Sequence, residues 1–169
     1  MRLKPNTLIV VAGPTASGKT ALAIKIAKAV DGEIVSADSM QIYRGVDIAT
    51  AKPTPEELAA VPHHLIGFLP MDRAFSVADY AELARKEIND ILSRGKVPVL
   101  CGGTGLYIKA IVDNVQYSEA ITGDEALRER LRQLAEREGN DALWRRLEAM
   151  DPETAKRIHP NNVGRVIRA

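Results

Sequence analysis

The chain has 169 residues, 46% of them hydrophobic and 27% charged, with a formal net charge of +1. That length provides for one well-buried domain and a small appendage, and the balanced charge argues against a broad attraction for nucleic acid while leaving room for a local basic patch. Cys101 is the sole cysteine, which excludes an intramolecular disulfide and a cysteine-based zinc site, and no apolar run reaches the length of a membrane span, so a cytoplasmic protein without membrane partners is expected.

The apolar run Leu8-Ile9-Val10-Val11-Ala12 reads as a buried parallel strand. It leads into Gly13-Pro14-Thr15-Ala16-Ser17-Gly18-Lys19-Thr20, which fits the phosphate-cradling pattern G-x-x-x-x-G-K-[ST]. Leu22, Ala23, Ile26, Ala27 and Val30 then recur on one helical face, so strand, loop and helix come in the order such a loop requires. Its glycines let backbone N–H groups turn inward on phosphate oxygens, Lys19 adds a point charge, and the Thr20 hydroxyl reaches a Mg²⁺. The helix N-terminus adds a partial positive charge. The loop predicts a diphosphate ligand without saying whose diphosphate it is.

Glu33-Ile34-Val35-Ser36-Ala37 reads as a second strand after the turn signal Asp31-Gly32, with Asp38 at its end. Two neighbouring parallel strands place their C-terminal ends on one edge of a sheet, where open α/β sheets bind ligands, so Asp38 is expected beside the phosphate loop. From Arg44 to Phe75 periodicity is lost and Pro53, Pro55, Pro62 and Pro70 intervene, which predicts a long functional loop with a short helix at Glu56 to Ala60. Ser76 and Asp79 form a capping-box pattern for a helix that Gly95 stops. Val97-Pro98-Val99-Leu100-Cys101 is a third strand, and Gly102-Gly103-Thr104-Gly105 follows it as a second glycine loop before a helix from Leu106 to Ile111.

After residue 112 strand patterns disappear, and helices are predicted at Asp124 to Glu138, Asp141 to Met150, Asp151 to Ile158 and Asn162 onward, with Pro152 at a first helical position and Gly139 at a helix end. The stretch from Val163 to Ala169 reads as a helix cut before any stop signal, as in a fragment. The expected organisation is an α/β core with a parallel sheet at 1–112 and a helical segment at 113–169, in which Lys156 is the lone lysine among many arginines nearly balanced by acids.

A carboxylate facing a diphosphate cradle suits attack on phosphorus, with Asp38 orienting the acceptor or holding Mg²⁺, or attack on carbon, with diphosphate leaving and Asp38 taking the nucleophile's proton. It also suits a nucleotide-gated switch in which Asp38 is a structural cap. Glycine, rather than the acid of a Walker-B strand, follows Cys101, and no short Arg-rich lid is visible, which lowers the kinase reading without removing it.

The glycine loop together with Asp38-Ser39-Met40-Gln41-Ile42-Tyr43 resembles the tRNA dimethylallyltransferase family, also called tRNA isopentenyltransferases. Thr50-Ala51-Lys52-Pro53, Pro62-His63-His64, Gly102-Gly103-Thr104-Gly105-Leu106-Tyr107 and the stretch from Asp151-Pro152 to Arg165 look like family motifs in family order. The resemblance implies a P-loop NTPase-like core with a helical tRNA-binding insertion. It implies transfer of a dimethylallyl group from its diphosphate to N6 of adenosine at tRNA position 37, beside the anticodon, with Mg²⁺. It further implies that Gly13, Pro14, Thr15, Ala16, Ser17, Gly18, Lys19 and Thr20 hold the donor's diphosphate, that Thr15 contacts the donor, and that Asp38 is the general base. Ser39, Met40, Gln41 and Thr104 are expected to line the adenine pocket, with Gln41 reading a base edge, and Asn161, Asn162 and Arg165 to contact tRNA. His63 and His64 are expected to line a loop or pocket without a metal, and a monomer is expected. Family members continue well past Ala169.

Overall fold

The computed structural model describes residues 4–48, 50–115 and 125–169. It divides into two compact units, Met1–Gln116 and Tyr117–Ala169.

The first unit alternates strands and helices: β1 Ile9–Ala12, α1 Lys19–Val30, β2 Gly32–Ser36, α2 Pro55–Ala60, β3 His63–His64, α3 Val77–Ser93, β4 Val97–Gly102 and α4 Gly105–Val112. The four strands form a parallel sheet in the order β1-β4-β2-β3. Because side chains alternate across a strand, successive apolar residues serve opposite faces. Ile34, Val99, Cys101 and Val11 pack with Ala23, Ile24 and Ala27 of α1. Val35 and Leu100 pack with Tyr80, Ala84, Ile88 and Ile91 of α3 and with Tyr107 of α4. The apolar run Val99-Leu100-Cys101 of β4 is what a strand covered on both faces requires.

The strand order corrects one expectation. β1 and β2 are not neighbours, because β4 lies between them. The loops after β1 and β2 therefore flank the glycine loop after β4, and that loop must be thin. An added Cβ at Gly102 would lie 2.1 Å from the Ala37 carbonyl oxygen, so no side chain fits there. The region from Arg44 to Phe75 also holds more order than a loop: α2 carries a complete Thr54/Glu57 capping box, His63 and His64 form β3 against Ile34 and Val35, and Tyr43 bridges Leu69.

Glu33 in β2 is buried at 3% exposure. The Arg94 guanidinium donates to both of its oxygens, at 2.5 and 2.8 Å, Lys96 stands 3.2 Å away, and His64 Nε2 lies 2.8 Å from Oε2. His64 Nδ1 in turn meets Glu87 at 2.8 Å. The Arg94 hydrogen bonds, reinforced by those of His64 and Lys96, outweigh burial and hold the Glu33 carboxyl down at about 2. His64 is thus a bridge between carboxylates rather than a loop or pocket residue.

In the second unit the described helices are α5 Glu125–Glu138, α6 Asn140–Met150, α7 Pro152–Ala155 and α8 Val163–Val166. The expected start of the first of these at Asp124 lies outside the described residues. Leu143, Leu147, Ala155, Ile158 and Val166 form its core with Ala135. The Trp144 indole N–H bonds the carbonyls of Ala155 and Ile158 at 3.2 and 2.8 Å. These bonds hold the chain after α7 in a turn, so the helix expected as far as Ile158 ends at Ala155. The last helix is likewise a single turn, closed by the Ile167 N–H on the Val163 carbonyl.

Candidate active site

The glycine loop opens with Gly13, whose N–H reaches the Gly102 carbonyl at 3.3 Å. An added Cβ at Gly13 would sit 2.9 Å from Ser17 Oγ, so glycine lets the loop close on itself. Ala16 and Gly18 take left-handed φ values of 62° and 79°, the alternation that turns successive backbone N–H groups toward one concavity. Gly18 starts α1 with no side-chain cap on the helix N-terminus, so the first-turn N–H groups remain available to an anion. Lys19 Nζ donates to the Pro14 carbonyl at 3.1 Å across the loop. The Thr20 hydroxyl makes no hydrogen bond with another described residue.

Asp38 is held at one oxygen and open at the other. Oδ1 accepts the N–H groups of Met40 and Gln41 at 2.9 and 3.3 Å. Oδ2 faces the third loop: an added Cβ at Gly103 would lie 4.0 Å from it, 3.9 Å from Lys19 Nζ and 3.1 Å from the Gly13 carbonyl. Base candidate, loop lysine and loop entry thus converge on the bare backbone of Gly103. Behind them, the Ser39 N–H donates to Thr104 Oγ1 at 2.9 Å and the Thr104 N–H to the Ala37 carbonyl at 3.1 Å. Tyr80 donates its hydroxyl to the Ser36 carbonyl at 3.0 Å and stacks on Tyr107 with ring centroids 3.8 Å apart, which braces the strand end that carries Asp38 against α4. Burial raises the Cys101 thiol to about 11, with Lys19 opposing and Asp38 assisting, so this nearby sulfur stays neutral at pH 7.

A cavity of about 310 Å³ opens here, lined by Thr15 to Ala21, Asp38, Gln41, Thr50 to Lys52 and Glu57. Gly13 and Pro14 stand outside its lining, as do Ser39, Met40 and Thr104. The Gln41 side chain, expected at a base edge, is engaged internally. Its amide donates to the Thr50 and Ala51 carbonyls at 3.2 and 3.0 Å, and its oxygen accepts from Ser36 Oγ at 3.4 Å. Gln41 therefore fastens the 44–52 segment to the cavity.

The family model described as IPP transferase matches residues 41–169. The chain belongs to the IPP transferase family. Among curated relatives, the tRNA dimethylallyltransferase of Exiguobacterium sp. (strain ATCC BAA-1283 / AT1b) is 54% identical over 99% of this chain and 53% of its own length. That of Bacillus subtilis (strain 168) is 51% identical over 96% of this chain and 51% of its own. The chain therefore spans about half the length of the curated relatives it matches. The full-length tRNA isopentenylpyrophosphate transferase of Bacillus halodurans superposes with a TM-score of 0.66 at 46% identity, over 96% of this chain and 54% of that one. A eukaryotic dimethylallyltransferase solved acting on tRNA superposes with a TM-score of 0.80 at 30% identity, over 95% and 40%. The first unit accordingly carries the P-loop NTPase-like core of the IPP transferase family.

The remaining expected tRNA contacts of this family member lie in the second unit. Asn162 caps α8 by accepting the Arg165 N–H at 3.3 Å, Asn161 accepts from Asn140 at 3.2 Å, and Arg165 is exposed. Lys52 and Glu57, by contrast, line the cavity without having been marked as site residues. The motif Thr50-Ala51-Lys52-Pro53 was the available signal, but a motif without periodicity does not say where its side chains go.

Proposed function

We propose that the protein transfers a dimethylallyl group from dimethylallyl diphosphate to the exocyclic N6 of an adenosine beside a tRNA anticodon. The observation that carries this reading is the convergence of Lys19 and the Asp38 Oδ2 oxygen on Gly103, which joins a diphosphate cradle to an open carboxylate. The family supports it, since its relatives carry that activity in their names.

In this reading the N–H groups of the loop from Gly13 to Thr20, with Lys19, bind the donor's diphosphate, and Thr15 contacts it. As the allylic C–O bond breaks, charge grows on the departing diphosphate, and fixed donors favour that state over the ground state. The N6–C bond forms as Asp38 Oδ2 takes the amine proton, a role worth about two to four orders of magnitude in such catalysis. Oδ1, bound to two N–H groups, keeps the carboxylate aimed. Ser39, Met40 and Thr104 receive the adenine beside the cavity, Gln41 secures the cavity's Thr50–Ala51 wall, and Asn161, Asn162 and Arg165 contact the RNA.

The donor set fits Mg²⁺. Thr20 offers one hydroxyl without a partner among the described residues, which suits an ion that keeps its waters and binds mainly through substrate phosphates. When bound, such an ion supplies further charge compensation for the diphosphate.

The competing phosphoryl-transfer reading is weakened by the glycines that follow β4 in place of an acid. The test offers the full-length protein labelled dimethylallyl diphosphate with unmodified tRNA and, separately, ATP labelled in its γ-phosphate. Label in RNA from the first alone supports prenyl transfer, and label moved only from ATP refutes it.

A further inference from the structure

The described cavity lining holds two cations, Lys19 and Lys52, and two carboxylates, Asp38 and Glu57. Without Lys52 the wall would be net negative, a poor receptacle for a diphosphate that itself carries two or more negative charges. Lys52 lines the same cavity as the glycine loop, and its surroundings are unusual for a lysine: its side chain is 6% exposed, while its ion-pair partner Asp47, at 2.6 Å, is 71% exposed.

Lys52 is held in register from several sides. Its own N–H bonds the Asp47 carbonyl at 3.1 Å, the Gln41 amide clamps the two preceding carbonyls, and Nζ donates to the Tyr43 carbonyl. An added Cβ at Gly67 would lie 3.5 Å from Nζ, so that glycine keeps the ammonium's surroundings open. An ammonium has three donors, and Tyr43 and Asp47 take two. Asp47 is also the partner easiest to release, since an exposed carboxylate regains water at little cost.

We propose that Lys52 is a second diphosphate-binding cation, sharing the cavity with Lys19 and exchanging Asp47 for a phosphate oxygen when the donor arrives. This rests on the diphosphate reading of the glycine loop and extends it to a residue outside that loop. Lys52 thereby favours diphosphates over monophosphates, because a second cation compensates the charge of the second phosphate.

The test is calorimetric titration of the chain with inorganic diphosphate, with parallel arms using dimethylallyl diphosphate and ADP. Lys52→Met is expected to weaken inorganic diphosphate binding about tenfold, the loss of one charge-assisted hydrogen bond, while Lys52→Arg retains most of it. Asp47→Asn discriminates the role from a merely structural one. A diphosphate-binding Lys52 freed of its competitor binds more tightly, whereas a Lys52 that only pins the segment through Asp47 loses affinity. Unchanged binding in Lys52→Met, absence of inorganic diphosphate binding by the parent chain, or equal or weaker binding in Asp47→Asn overturns the proposal. Should Lys52→Met fail to show the parent's melting transition, Asp47→Asn alone decides. The other two arms judge the transferase reading separately: a parent chain that binds ADP but not dimethylallyl diphosphate refutes prenyl transfer and leaves Lys52 to the inorganic diphosphate result.

Discussion

The Thr104 hydroxyl accepts the Ser39 backbone N–H at 2.9 Å, tying the turn after Asp38 to the loop after β4. Two loops whose residues stand 65 positions apart are thereby locked at the point where acceptor and donor would meet. Thr104→Val keeps the side-chain shape and removes the acceptor, leaving the Ser39 N–H unpaired. The expected outcome is a single-turnover prenyl-transfer rate lower by about tenfold or more, since small displacements of a catalytic group cost this much, with diphosphate affinity unchanged. Rapid-quench kinetics on the full-length protein check it. An unaltered rate would show that the Asp38 turn keeps its position without Thr104.

Gly103 is where Lys19, Asp38 and the Gly13 carbonyl approach one another. A methyl there stands 3.1 Å from that carbonyl, tighter than ordinary contact, and fills space between Asp38 and Lys19. Gly103→Ala is expected to lower dimethylallyl diphosphate affinity by about tenfold, or 1.4 kcal/mol, with the melting temperature nearly unmoved because Gly103 is exposed. Gly102→Ala, blocked by the Ala37 backbone, is expected to destabilise the fold instead. Calorimetry and thermal melts on the pair separate the two effects.

Glu33 contributes stability that acid removes. Its carboxyl ionises at about 2 in the fold against 4.5 as a free side chain, so the unfolded state binds more protons between those values. The stabilisation is complete above about pH 4.5 and drains away as pH falls toward 2. Glu33→Gln leaves Arg94, Lys96 and His64 without their shared anion and is expected to cost about 3 kcal/mol near neutral pH. Denaturant melts from pH 7 down to pH 2 should show the wild type losing its advantage over Glu33→Gln within that window, and a constant difference would contradict the assignment.

What was legible in the sequence was local. The glycine loop, its strand and helix, Asp38 at a strand end and the capping box at Ser76 each declare themselves within a few residues, and the family motifs add the rest of the core. What was not legible depends on distant partners. Glu33 meets Arg94 across 61 positions, and nothing near either residue marks the pair. β3 is two residues long and exists because β2 offers a free edge. The position of β4 between β1 and β2 is a choice of topology that periodicity does not encode. Gln41 looked like a reader of bases because its amide carries donors and acceptor, yet Thr50, Ala51 and Ser36 occupy them. The short α7 reflects Trp144 holding the Ala155 and Ile158 carbonyls in a turn that helix propensity alone would not impose.

The proposed transfer requires Asp38 to act through its free oxygen as a base and not solely as a turn cap. Asp38→Asn isolates that distinction, because its side-chain carbonyl can still accept from the Met40 and Gln41 N–H groups while the proton acceptor is lost. The decisive measurement is transfer of labelled dimethylallyl groups to unmodified tRNA by the full-length Asp38→Asn protein, alongside its diphosphate affinity. The expected result is a rate lower by about two orders of magnitude or more with affinity near that of the wild type; turnover close to wild type would remove Asp38 as the base.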